Sequence, residues 1–129
     1  MPDPIIYVDR SLIVDGKLEQ LKRGIRALVE FVERREPRLI SYGFFLDEVR
    51  MRMTVIAIHP DSASLEFHLD IAGPEFRKLK ELVELTEIEV YGPVGDTALA
   101  QLQEKARMLG RGGKVVVLEA EASFARMTG

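Results

Sequence analysis

The sequence predicts an α+β fold of the ferredoxin-like, split β-α-β kind. This is a four-stranded antiparallel sheet with two helices on one face, here followed by an additional C-terminal helix and strand. Three observations carry the prediction. Apolar residues switch between a period of two and a period of 3.6 in the order β-α-β-β-α-β-α-β. The second and third strands are joined by a turn too short for anything but an antiparallel hairpin. The chain has 129 residues without a visible repeat, which suits one domain spanning 1–129.

Residues 5–14 are β-branched and apolar on both alternating faces and read as a first strand, with Asp9 and Arg10 the polar exceptions, one on each face. Asp15-Gly16 supplies a turn and a helix N-cap. Over 17–36, Leu18, Leu21, Ile25, Leu28, Val29 and Val32 form the apolar stripe of a helix, which Pro37 stops. Gly24 inside that helix costs about 1 kcal/mol against Ala and marks close approach to a sheet. Strands follow at 38–47 and 50–59. A second helical region opens at Pro60-Asp61 with Asp61 or Ser62 as cap and Leu65, His68, Leu69 and Ala72 on one face. Gly73-Pro74 is expected to interrupt it, with helix resuming over 75–84 and Phe76, Leu79, Leu82 and Val83 inward. A short strand at 87–91 ends at Gly92-Pro93. Asp96 caps a third helix carrying Leu99, Leu102, Ala106 and Leu109, and a last strand covers 114–126, beginning with Val115-Val116-Val117-Leu118.

Composition removes several classes of function. The 18 basic and 21 acidic side chains leave a formal charge of −3, against a nucleic-acid binder that relies on phosphate attraction. The chain has no cysteine, so disulfides, thiolate metal sites and cysteine nucleophiles are excluded. No apolar run approaches the roughly 20 residues of a membrane span. Met1-Pro2-Asp3-Pro4 lacks the basic stretch that opens a signal peptide, and a cytoplasmic location is expected.

Two helices cover one face of a four-stranded sheet, yet the first three strands are apolar on both sides. The second face therefore needs a cover. A second copy packed sheet on sheet about a two-fold axis is the simplest one. The alternative is that residues 98–126 fold back over it, and a further possibility is that the last strand swaps onto the partner.

Ser64-Leu65-Glu66-Phe67-His68-Leu69, followed by Glu75-Phe76-Arg77, resembles the helix signature of the antibiotic biosynthesis monooxygenase-like family. The first helix ending in Glu36-Pro37, the stretch Glu87-Ile88-Glu89-Val90-Tyr91-Gly92 and the terminal Ala122-Ser123-Phe124-Ala125-Arg126 stand in matching order. The resemblance implies a homodimeric α/β barrel with a small-molecule pocket between sheet and helices. It also implies, as one reading, oxidation of a phenolic or quinol-like aromatic substrate by O₂ with no metal or flavin. Such chemistry asks for one base and an oxyanion partner in a dry cavity. Many relatives have no established activity, so a non-catalytic ligand-binding or assembly protein of the same fold is the alternative.

The candidate catalytic residues are Asp9 and His68, with Tyr7, Tyr42, His59 and Phe76 lining the pocket. Asp9 falls where relatives often carry a pocket Asn; buried, it would take a proton readily, though an ionised Asp cannot donate a hydrogen bond as Asn does. His59 stands where relatives usually have Trp, and His68 where they have His or Trp; either imidazole titrates near neutrality when unperturbed. Tyr7 and Tyr42 offer phenolic donors. Haem-degrading relatives bind iron through a His about one helical turn past the Phe-Lys/Arg pair; none follows Phe76-Arg77 here, so the resemblance does not extend to haem binding. The pattern His59-Pro60-Asp61 with His68 suits a metal poorly, because Asp61 is needed as a cap. Gly110-Arg111-Gly112-Gly113-Lys114 precedes a strand rather than a helix and lacks the following Ser or Thr, so it reads as a turn and not a phosphate loop.

Overall fold

In a computed structural model, which describes residues 3–110 and 112–126, Ile5–Ile13 forms β1 at the centre of the sheet. The helix Leu18–Arg35 (α1) leads to β2 (Ser41–Asp47), β3 (Arg52–His59), α2 (Ser62–Arg77), β4 (Val83–Tyr91), α3 (Asp96–Leu109) and β5 (Lys114–Leu118). The strands lie in the order β2-β3-β1-β4-β5. All neighbours are antiparallel except β5, which runs parallel to β4 and so needs the α3 crossover. The expected four-stranded ferredoxin-like sheet is thus present, with α3 and β5 extending it on the β4 side. Met1, Pro2 and Arg111 of the expected N-terminal stretch and turn lie outside the described residues. No helix among the described residues is long and apolar enough to cross a membrane.

Alternation along β1 decides which side chains meet the helices. Ile5, Tyr7, Asp9, Ser11 and Ile13 are buried, whereas Ile6 and Val8 are half-buried and Arg10 and Leu12 exposed. Register carries this face across the sheet: Tyr7 pairs with Ala57 and Val90, and Asp9 with Val55 and Ile88. All three helices pack here, burying Leu21, Leu28 and Val32 from α1, Leu65, Ala72 and Phe76 from α2, and Ala98 and Leu102 from α3. Because α3 joins the other two helices, it does not cover the opposite face. That face still carries Ile6, Val8, Ile56, Ile58 and an exposed Phe45. β5 pairs with β4 of its own chain.

Several boundaries differ from expectation for identifiable reasons. β4 starts at Val83, so Val83 and Glu84 are strand and not helix. Arg10 faces Glu87 while Ser11 faces Leu85, leaving Thr86 as a bulge. The bulge reverses the phase, so Val83 and Leu85 before it and Ile88 and Val90 after it all point to the helices. A broken alternation of this kind does not read as one strand. α2 runs without interruption through Gly73-Pro74. The missing proline N–H falls near its last turn, and buried Ala72 and Phe76 hold that turn on the core. α1 has Lys17 and α3 has Gly95 at the N-cap position, neither with a side-chain cap bond, in place of Asp15-Gly16 and Asp96. Gly95 is held instead by its N–H donating to Ser62 Oγ at 2.9 Å. In α3, Ala98 rather than Leu99 takes the buried position. β2 begins at Ser41 and β3 at Arg52. β5 stops at Leu118, well short of residue 126. Gly24 marks close approach to Leu79, in the turn after α2, and not to the sheet: a Cβ there would lie 2.8 Å from Leu79 Cδ2.

Candidate functional site

Inward positions of β1, β2 and β3 and the facing sides of α1, α2 and α3 converge on a buried cluster of polar groups. Asp9 enters it from the middle of β1 and is only 2% exposed. The Tyr7 hydroxyl donates to Asp9 Oδ2. Lys105, from α3, donates to the Tyr7 hydroxyl at 2.7 Å and to Asp9 Oδ2 at 3.2 Å. Its ammonium also lies 3.9 Å from the centroid of the Phe76 ring and 4.8 Å from that of Tyr7, a cation–π placement that offsets part of its lost hydration. Burial lowers the Lys105 pKa, and the neighbouring Asp9 opposes that shift. Burial raises Tyr7 well above the usual phenol value, reinforced by Asp9, so this phenol keeps its proton.

Both donors fall on the same carboxylate oxygen. Asp9 Oδ1 is buried and has no hydrogen-bond partner among the described residues, although a carboxylate left half unsatisfied in a dry interior is costly. Asp9 lines a cavity of about 20 Å³, walled by Tyr42, Phe44, Phe76, Lys105 and apolar residues including Leu28, Leu79, Val83 and Leu109. That volume holds about one water molecule.

Neither histidine lines this cavity: His68 lies behind its Tyr42 and Phe76 walls, and His59 behind His68. His68, from α2, places Nδ1 at 2.7 and 2.9 Å from the two carboxylate oxygens of Glu36. Its ring lies 5.0 Å from Tyr42, 5.3 Å from Phe76 and 5.5 Å from His59, centroid to centroid. Burial, and then the Lys105 charge, pushes His68 down to about 3. Burial alone pushes Glu36 up to about 7. Below neutrality the proton the pair holds therefore sits on Glu36, while His68 stays uncharged, a weak base with Nδ1 committed to the Glu36 carboxyl. His59, at the end of β3, is fully buried with Nδ1 2.9 Å from Ser64 Oγ and Nε2 without a partner among the described residues. Burial and then His68 push it to about 3. Asp61 caps α2 by accepting from the Ser64 N–H at 2.9 Å and also pairs with Arg38. Its carboxylate, like His59 Nδ1, is committed to local structure.

Tyr7, Asp9, Tyr42, His59, His68 and Phe76 are thus brought together in one cluster, but of these only Asp9, Tyr42 and Phe76 line the cavity; Tyr7, His59 and His68 do not line the pocket as expected. Lys105 and Glu36 belong to the cluster and are missing from the sequence reading. The signal for Lys105 lay in α3: it falls three residues after Leu102 and four before Leu109, on the apolar stripe. The signal for Glu36 was weaker. It is a carboxylate at a helix C-terminus, where the dipole favours cations and something else must hold it.

No family profile and no curated protein matches the sequence. Solved structures do resemble the fold. MupZ from Pseudomonas fluorescens superposes with a TM-score of 0.74 at 20% identity, over 95% of this chain and 94% of that one. A candidate antibiotic biosynthesis monooxygenase from Bacteroides thetaiotaomicron gives 0.52 at 25% identity, over 64% of this chain and 85% of the other. SnoaB from Streptomyces nogalater, a cofactor-independent oxygenase, gives 0.60 at 17% identity over 72% and 95%. The chain has the ferredoxin-like fold of antibiotic biosynthesis monooxygenase-like proteins, a monooxygenase-like architecture carrying the buried cluster described above.

Proposed function

We propose that the protein is a cofactor-independent oxygenase acting on a phenolic or quinol-like aromatic molecule, and that it works in the cytoplasm as a homodimer. The observation that carries the reading is the unpartnered Asp9 Oδ1 on the wall of a cavity whose other walls are mainly apolar and aromatic. In this reading Asp9 Oδ1 takes the acidic proton of the substrate. The Lys105 ammonium and the Tyr42 hydroxyl hold the resulting anion. Tyr7 acts through Asp9, fixing Oδ2 so that Oδ1 faces the substrate. His68 and Glu36 position Tyr42 and Phe76. The electron-rich anion reduces O₂, the carbon–oxygen bond forms, and loss of water from the hydroperoxide leaves a carbonyl. An activated CH₂ and O₂ become C=O and H₂O, so atoms and electrons balance without a further reductant.

The cavity's volume of about 20 Å³ favours a second reading, a non-catalytic ligand-binding or assembly protein in which Tyr7, Asp9 and Lys105 tie α3 to β1. An aromatic substrate has to displace wall side chains. Leu28 and Leu79 also border an outer groove between α1 and the end of α2, which makes them the wall to move. Oxygen uptake with a panel of anthrones and hydroquinones decides between the two. The oxygenase reading expects turnover that falls on the order of 100-fold or more in Asp9→Asn and in Lys105→Met. Absence of turnover across the panel favours the second reading, and turnover indifferent to both changes removes the assigned roles.

A further inference from the structure

The cavity beside Asp9 holds about one water, so a larger occupant has to pass its wall. Among the described residues two outer grooves border that wall. One, of about 320 Å³, lies between α1 and the turn after α2 and shares Leu28 and Leu79 with the cavity. The other, of about 650 Å³, lies between the start of β4 and the end of α3 and shares Val83 and Leu109.

The two walls differ in what holds them. Val83 stands in the β4 ladder opposite Ile13 of β1. Leu109 is followed by Gly110, whose backbone sits so close to β4 that a Cβ would lie 2.1 Å from the Leu85 carbonyl oxygen. Moving either one shifts a whole strand or helix. On the first wall Leu28 is fixed by α1, but Leu79 belongs to no helix or strand. Its N–H donates to the Phe76 carbonyl and its carbonyl accepts from the Leu82 N–H, both at 2.9 Å. Its tip rests on Gly24, one helical turn before Leu28, where a Cβ would lie only 2.8 Å from Leu79 Cδ2.

We propose that molecules reach Asp9 from the groove between α1 and α2, passing between Leu28 and Leu79, and that Leu79, resting on Gly24, sets how large a molecule passes. Rotation of the Leu79 side chain opens this wall without breaking a backbone hydrogen bond, whereas the second wall opens only by moving an element. The approach is polar: Gln20, Arg23, Glu75 and Lys78 border the groove, with Lys78 and Glu75 paired at 2.9 Å. A molecule therefore sheds its water at the two leucines and not before. The route deepens the oxygenase reading by naming the way in, and rests on that reading for what travels along it.

The chain has no cysteine, so Ser11→Cys puts a single thiol on the cavity wall, at a position that is 3% exposed. Its labelling by benzyl methanethiosulfonate, followed by mass spectrometry without substrate, reads passage of an aromatic group independently of turnover. In that background Leu79→Ala is expected to speed labelling on the order of 10-fold or more, and Leu109→Ala, an equal truncation on the other wall, to speed it less. Gly24→Ala is expected to slow it several-fold, because the added methyl drives Leu79 into the cavity. Unfolding gives no such slowing, since Gly24→Ala does not stabilise the fold. Labelling at least as fast in Leu109→Ala as in Leu79→Ala, or rates that follow unfolding free energy across all the variants, overturns the route. A Gly24→Ala chain that labels as fast as its parent removes Leu79 as the selector. If labelling follows expectation and no anthrone or hydroquinone is turned over, the route stands and the oxygenase reading falls.

Discussion

His59 shows how a titratable side chain is paid no attention by solvent yet governs a response to acid. Buried at the end of β3, it is held neutral down to about pH 3, against an ordinary value of 6.5. Between those values the unfolded chain binds a proton that the folded chain refuses, so stability is present above pH 6.5 and is lost as pH falls toward 3. His68 has the same depression, but Glu36 beside it is raised from 4.5 to about 7. Between pH 4.5 and 6.5 that pair holds one proton whether folded or unfolded, merely on a different residue, and contributes little slope. The acid dependence in the upper part of this window therefore belongs to His59, with the lowered carboxylates Glu89 and Asp61 adding to it toward pH 4.5. Denaturant midpoints in the upper part should fall with acid at up to one proton's worth, about 1.4 kcal/mol per pH unit. His59→Gln should flatten the profile, and equal slopes in both proteins would reject the assignment. Asp9 and the histidines drew notice in the sequence as polar residues on apolar faces. Where that pair keeps its proton could not be read there, because Glu36 and His68 are 32 residues apart and meet only where α1 ends against α2.

At the scale of elements, two glycines report how closely the layers approach. A Cβ on Gly110, at the end of α3, would lie 2.1 Å from the Leu85 carbonyl oxygen, a backbone atom of β4 that cannot yield without shifting the strand. A Cβ on Gly24 would meet the tip of Leu79, a side chain on the wall of the inner cavity with room to move. Gly110→Ala should cost about 3 kcal/mol or more, at the upper end of overpacking costs. Gly24→Ala should fall between neutral and about 2 kcal/mol destabilising, since its overpacking is offset by about 1 kcal/mol of helix propensity. Thermal melts of the two variants check the order, and a reversed order would mean that α3 sits farther from β4 than described. Helix periodicity located all three helices. The Thr86 bulge hid half of β4, because a single unpaired residue flips the alternation on which strand recognition depends.

For the whole molecule, the uncovered sheet face is the dominant consequence. Three helices share the opposite side, and Phe45 remains 57% exposed on the edge strand β2, paired with Thr54 of β3 and lying over Gly43. If a second copy covers this face, Phe45→Glu should weaken the dimer on the order of 100-fold, through lost apolar burial and a desolvated charge, and leave the fold intact because the side chain is exposed in one chain. Sedimentation equilibrium with circular dichroism checks both parts. A variant that dimerises as tightly as the parent would move the interface elsewhere.

The order of secondary elements, the hairpin, the two-sided apolar character of the central strands and the place of His68 on the apolar stripe of its helix are local properties. Period, turn length and side-chain type determine them, and the sequence alone sufficed. Which face α3 covers, the arrival of Lys105 beside Tyr7 and Asp9, and the partnership of Glu36 with His68 join residues between 32 and 98 positions apart. Those were decided only by the fold, because a buried charge is tolerated only where distant elements bring it a partner.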